Sequence, residues 1–424
     1  MEPVDRADLW RGDIRSLDVR SELRSTLALA APLAAANLAQ MAMAVTNTVM
    51  VGRLGAVPLA AAGLGGMLYF TGGVTLQGVL SAVAPLAAHA LGTGDRRAAG
   101  RVAGAGLLLA VLLALPFVTV LTNLDMLLRV LGYDAALAAE IGRYLRAIAW
   151  GGPAFLGFAV LRSLLAALSH TRSVMAVVLI CVAGNTVLNW VLIFGHLGAA
   201  PLGTAGSGYA SAINQWLMLG GLGLCIRIIP RLRALRLLGN TFAPRRAEIA
   251  KILRLGLPIG GMRGIEVGVF MTAGILMGLL GAAALAAHQL VLNCAGITFM
   301  VPLGIAQAAT VRVAFELGAG RARAARRLLA IAALFQVFDG TQVIAAGVLR
   351  GYRDTMVPML LATFGYWGIG FAGCWLFAFP LGYGAVGLWW GLALGLAVVA
   401  ILLTLRFHWL APSISPVAAT VALR

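Results

Sequence analysis

The chain has 424 residues, 61% of them hydrophobic and 11% charged, with 32 basic against 15 acidic side chains and a net charge of +17. So little polar matter cannot cover a water-soluble globule, and the arginines sit in short loops between apolar stretches rather than in the aromatic-laced patch that grips nucleic acid. What remains is a polytopic membrane protein built from helices, because the apolar stretches reach about 20 residues whereas barrel strands would be about ten residues long and alternate in polarity.

In chain order, residues 1–24 mix acids and arginines, with no apolar core leading to a cleavage site, and read as a cytoplasmic segment rather than a signal peptide. Six spans follow, at 26–52, 63–91, 99–121, 141–167, 173–195 and 205–229, giving an N-terminal lobe over 25–229. The stretch 230–254, with Pro230 and Pro244 among its arginines, is a basic connector. A second lobe over 255–409 holds five spans, at 256–280, 287–316, 328–349, 356–379 and 385–409, ahead of a tail at 410–424. The expected fold class is therefore an all-α polytopic membrane protein with two lobes of six and five transmembrane helices. Basic residues fall mostly in every second loop (Arg96 and Arg97, Arg172, Arg227 to Arg254, Arg321 to Arg327, Arg350 and Arg353), which places those loops in the cytoplasm.

The two lobes are copies of one pattern. LALAAPLAAANLAQ answers RLGLPIGGM, LGAVPLAAAG answers LGAAALAAHQ, and the basic loop GTGDRRAA at Gly92 answers GAGRARAA at Gly318, 226 positions later. Six spans return the chain to its starting side, so the copies run parallel about an axis along the membrane normal, with a site expected between them near the midplane. Further on the offset falls: PLG at Pro201 answers PLG at Pro380, 179 positions later, so the second copy lacks 47 residues. The deficit falls after Arg327 and equals one helix with its outer loop. It leaves a parity conflict, because a single span at 328–349 has arginines at both ends. Either the last three helices flip and carry Arg350 outside, or residues 317–327 cross in extended form and drag arginines through hydrocarbon.

Ionisable groups within spans carry the chemistry, since hydrocarbon penalises charge. Glu266 in GGMRGIEVGVFMTAG and Asp339 in ALFQVFDGTQVIAAG are the clear carboxylates, able to bind a proton or Na⁺ in a cavity and release it when the cavity opens to the other side. The alternative for Glu266 is a structural pair with Arg263 one turn back, and for Asp339 a turn at Asp339-Gly340. Gln40, Thr46, Asn47, Asn185, Asn189, Gln289, Asn293, Gln336 and Gln342 are candidates to line the cavity, or to bond between helices. His89 and His288 sit near span ends and read as interfacial. Cys181, Cys225, Cys294 and Cys374 are scattered, without metal-ligand spacing. There is no phosphate-binding glycine loop, HExxH or nucleophile with a base, so no enzyme is expected.

VTNTVMVGRLG, GAAALAAHQLVLN, IAQAATVRVAFELGAG and above all LFQVFDGTQVIAAGVLRGYRDT resemble the multidrug and toxic compound extrusion (MATE) family, in its NorM-like branch. The resemblance runs from Leu27 to Trp409 apart from the gap. It implies a two-lobed, twelve-helix antiporter, monomeric in the lipid of the bacterial inner membrane. Such a protein exports cationic or amphipathic drug-like compounds in exchange for Na⁺ or H⁺, with no other cofactor. It also implies that Glu266 and Asp339 are the coupling-cation ligands, and the metal ligands if the ion is Na⁺. Three departures stand out. Asn47 replaces an Asp common on the first helix, Phe335 replaces a Tyr found one turn before the tenth-helix Asp, and the ninth helix is the one missing. Two alternatives stay open: a lipid-linked oligosaccharide flippase of the same superfamily, or a truncated homologue that no longer transports.

Overall fold

The computed structural model describes residues 19–130, 135–229, 246–279, 306–320, 354–378 and 384–410, with 296, 299–300, 303–304, 349 and 380–381. Every regular element among them is helical. The N-terminal lobe is built from α1 (Val19–Gly52), α2 (Ala56–Leu80), α3 (Val83–Gly92), α4 (Arg96–Thr122), α5 (Leu124–Val130), α6 (Ala135–Ala149), α7 (Gly152–Ala167), α8 (Thr171–Phe194) and α9 (Thr204–Ile228). The second lobe has α10 (Arg246–Leu279), a helix over 306–318 here called α11, α12 (Met356–Thr363), a π-helical stretch (Phe364–Gly370), α13 (Phe371–Ala378) and α14 (Gly384–Leu410).

Among the described residues, Ala28–Gly52, Ala56–Gly92, Arg96–Thr122, Thr171–Phe194 and Met356–Phe377 are each long and apolar enough to cross a membrane. α6 and α7, bent by 45° where they meet, are long and apolar enough for a further span when taken together. The bend falls at Gly151-Gly152-Pro153, where the proline has no amide hydrogen to continue the helix and Gly151 lets α9 approach, its absent Cβ leaving room for the Ala212 backbone. Pro85 similarly interrupts α2 and α3 at Ser81-Ala82. Several helices start earlier than hydropathy predicts, among them α1 at Val19, α2 at Ala56, α6 at Ala135 and α10 at Arg246, the last inside the expected connector. Hydropathy marks the stretch that hydrocarbon selects, whereas backbone hydrogen bonding continues a helix into the polar region beyond it.

The repeat is visible in space. Pro32 and Pro258, 226 positions apart, both lie inside the first helix of their lobe. Gly94 and Gly320 share that offset and both adopt a left-handed turn, with φ 82° and 72°. At the first of these turns exposed Asp95 caps α4, accepting from the Ala98 amide at 2.8 Å, and this bond holds its carboxyl below the usual range. The lobes meet along a seam of small residues, as helices in lipid do. Gly78 packs on Gly260, and Gly304 packs on Ala34; the 226-residue offset exchanges these two pairs. Gly92 lies against the Phe315 carbonyl and Gly318 against the His89 carbonyl, so the two basic loops meet at the pseudo-two-fold axis.

Packing direction excludes one of the two resolutions of the parity conflict. α10 runs antiparallel to α2, since Gly256 meets Val79 while Gly264 meets Thr75. α12 and the π stretch run parallel to α10, since Gly261 meets Met359 and Gly268 meets Trp367. Asp354 therefore lies on the same face as Arg246, and it pairs at 2.9 Å with Arg406 near the end of α14. The Gly318 end of α11 lies on that face too. The flipped arrangement is not adopted: Gly320 and Asp354 lie on one face, the basic one that the positive-inside rule assigns to the cytoplasm. The expected span at 328–349 lies outside the described residues, apart from buried Leu349.

Candidate functional site: the inter-lobe seam

The seam is closed on the basic side by backbone-close contacts at Gly92, Gly318, Gly256 and Gly260, and beyond them by Gly264 against the Thr75 side chain. A second row of contacts joins α1 to the other lobe, through Ala34 with Gly304 and Met41 with Gly296. An ion pair between Arg101 and Glu248 at 3.5 Å ties α4 to the foot of α10.

Glu266 stands half a turn past Gly264, the outermost of the described glycine contacts between α2 and α10. Its Oε2 accepts from Arg263 Nη1 at 3.0 Å, and both side chains are largely buried, at 12% and 16% exposure. The structural pair open from the i, i+3 spacing is thus formed. Oε1 makes no hydrogen bond among the described residues, so one carboxylate oxygen remains for a proton or cation. Trp367, carried by the π stretch, donates from Nε1 to the Ile265 carbonyl at 3.4 Å, next to Glu266. Such wide turns recur at functional sites because they re-aim side chains that a regular helix would misplace.

In the first lobe the structure brings Asn47, Asn185 and Asn189 together. Asn47 Oδ1 accepts from Asn185 Nδ2 at 2.6 Å and from Asn189 Nδ2 at 2.7 Å, while its Nδ2 donates to Ser211 Oγ at 3.1 Å. Asn185, Asn189 and Asn214 are wholly buried, and among the described residues the Oδ1 atoms of all three have no hydrogen-bond partner. This cluster holds amides where a carboxylate would titrate. Thr46 turns away to the Ala42 carbonyl at 3.0 Å, and Gln40 is partly buried without a side-chain hydrogen bond among the described residues. Asp339, Gln289, Asn293, Phe335, Gln336, Gln342 and His288 lie outside the described residues. Among those described, no three His, Cys, Asp or Glu side chains gather as a metal site.

Sequence reading passed over Arg162. It lies within the predicted span 141–167, and its Nη2 donates to Asn37 Oδ1 at 2.5 Å and to Gln307 Oε1 at 2.8 Å, the second across the seam. The signal was present, an ionisable residue inside a span, but a rule confined to carboxylates misses it.

Two parallel lobes around an axis normal to the membrane, sealed on one face, form the architecture of an alternating-access transporter. The MatE family profile matches residues 32–191, 258–329 and 322–376. The chain is 39% identical to the probable multidrug resistance protein NorM of Mesorhizobium japonicum, over 92% of this chain and 94% of that protein. It is 40% identical to the multidrug resistance protein NorM of Burkholderia vietnamiensis, over 90% and 93%. Its fold superposes on a eukaryotic MATE transporter with a TM-score of 0.83 at 22% identity, over 92% and 96% of the two chains. The chain belongs to the MATE family, whose members are membrane transporters rather than enzymes.

Proposed function

We propose that the protein is an antiporter of the bacterial inner membrane that exports cationic or amphipathic drug-like compounds in exchange for H⁺ or Na⁺. The observation that carries this reading is the place of Glu266. The seam is shut below it, on the basic face, and the carboxylate stands just outside the outermost described glycine contact between α2 and α10, with one oxygen that makes no hydrogen bond among the described residues. A rocking of the lobes about the seam would move that oxygen from one side's water to the other's, which is what coupling requires. The NorM names of the relatives support drug-like cargo. Asp339 is the proposed second cation ligand, on the strength of the motif around it. The first-lobe cluster at Asn47 contributes no titrating carboxylate, so coupling rests on the second lobe.

The test is efflux of a fluorescent organic cation from vesicles under an imposed H⁺ or Na⁺ gradient. Glu266→Gln and Asp339→Asn should each lower gradient-driven efflux by about tenfold or more, since each neutral side chain cannot exchange the coupling charge. Undiminished efflux in both variants would overturn the coupling role.

A second reading, a homologue that has lost transport, draws on the gap. The family profile runs unbroken through the first lobe but meets the second in two pieces that overlap at 322–329, where the repeat places the lost helix. The alignment with the Mesorhizobium protein occupies 438 positions yet takes in 92% of this 424-residue chain, about 390 residues, so close to fifty positions face gaps in this chain. Efflux by this chain is to be compared with efflux after a ninth helix is inserted beyond Arg327. Equal rates would reject the degenerate reading, and activity appearing upon insertion would establish it.

A further inference from the structure

We propose that Arg162 is a positioning residue of the transport cycle: with Gln307 it forms a charge-assisted latch that holds the two lobes together on the basic face. The inference rests on the alternating-access reading above. Arg162 is five residues from the end of α7, about 8 Å along the helix from its basic-side terminus. It is therefore inside the membrane, where a guanidinium is costly and one without a role is unexpected. No carboxylate pairs with it among the described residues. Its two hydrogen bonds go to neutral amides, both from Nη2, one to each lobe.

The two partners play different parts. Asn37 belongs to α1, in the same lobe as Arg162, and is 5% exposed. Among the described residues its Nδ2 is buried without a partner, so the amide is turned to present its oxygen to the guanidinium at the expense of its own donor. Asn37 thus pre-orients Arg162 whatever the other lobe does. Gln307 follows Gly304, which packs on Ala30 and Ala34, and precedes Ala308, which packs with Leu29 and Ala30. When the seam parts, Gln307 leaves with its lobe and the bond from Arg162 breaks. The surrounding contacts are small-residue packing, non-directional and available in slipped registers; a hydrogen bond from a charged donor is directional and roughly twice as strong as a neutral one. The latch therefore sets where the lobes close as well as how long they stay closed.

The experiment reads opening of the seam directly. The four native cysteines are replaced and Ala308→Cys is introduced, a position 1% exposed within the closed seam. Labelling by a membrane-impermeant maleimide is then timed from the basic side in inverted vesicles. Gln307→Ala and Arg162→Gln should each speed labelling about tenfold, and the double variant should do no more than either alone, because both remove one bond. Gln307→Glu should slow labelling by a similar factor, since it supplies the carboxylate that Arg162 lacks, and a slower rate cannot arise from misfolding. Unchanged rates in the single variants, effects that add in the double variant, or faster labelling with Gln307→Glu would each overturn the latch. Labelling needs no cargo, so the latch stands or falls by these rates even in a chain that exports nothing.

Discussion

Arg263 and Glu266 sit three residues apart on one helix, and their pairing was legible from that spacing. Because the guanidinium occupies Oε2, it competes with any incoming cation. Arg263→Gln is therefore expected to lower the half-saturating concentration of the coupling ion in vesicle efflux by roughly threefold or more, while a rise would show that Arg263 helps to build the site. The Asn47 cluster makes a second case. Asn185 and Asn189 both point donors at Asn47 Oδ1, so Asn47→Asp should fold normally, its carboxylate held by bonds already in place. Asn47→Leu strips both donors of their acceptor at a cost of about 1–3 kcal/mol each, to be read as a lower unfolding temperature in detergent. Amides in apolar spans stood out as a set in the sequence; that two of them converge on the oxygen of a third did not, since convergence depends on how α1 and α8 pack. Arg162 shows the complementary failure. Its partners lie 125 and 145 positions away along the chain, beyond any local pattern.

At the scale of the element, the membrane spans were readable because hydrocarbon selects long apolar stretches, and each described span overlaps its expectation. Their ends were not, because backbone hydrogen bonding carries helices such as α1 and α10 beyond the apolar stretch. The π stretch at Phe364–Gly370 left no mark in hydropathy, because a one-residue change in hydrogen-bond register alters no composition. Its consequence is that Trp367 reaches the Ile265 carbonyl. The small-residue seam is a property of paired elements, and its glycines differ sharply in what they tolerate. A Cβ at Gly260 would stand 2.6 Å from the Val79 side chain and 2.7 Å from the Thr75 carbonyl, whereas one at Gly63 would meet nothing within 4 Å. Gly260→Val is expected to wedge the seam apart and speed labelling from the basic side at Ala308→Cys, with Gly63→Ala unchanged as its control. Equal behaviour of the two variants would mean that the seam is not the closing surface.

For the whole molecule, the repeat arithmetic was the most informative signal. It fixed the parallel lobes, and its 226-residue offset reappears as exchanged contacts across the seam. Orientation beyond Gly320 was not legible, because charge and length allowed two strained solutions, and helix direction against a neighbour is a tertiary fact. The parallel course of α10 and α12 places Asp354 on the basic face. A cysteine at Arg350 should accordingly react with impermeant reagent in inverted vesicles and stay unreactive in intact cells, and the reverse would contradict the packing.

The central claim is that cation movement through the second lobe drives export. Its most direct test is gradient-driven efflux of a fluorescent organic cation by this chain set beside Glu266→Gln. Coupling through Glu266 predicts efflux that depends on the H⁺ or Na⁺ gradient and falls by about tenfold or more in the variant. Efflux that is indifferent to both gradients, or equal in the two proteins, would contradict it.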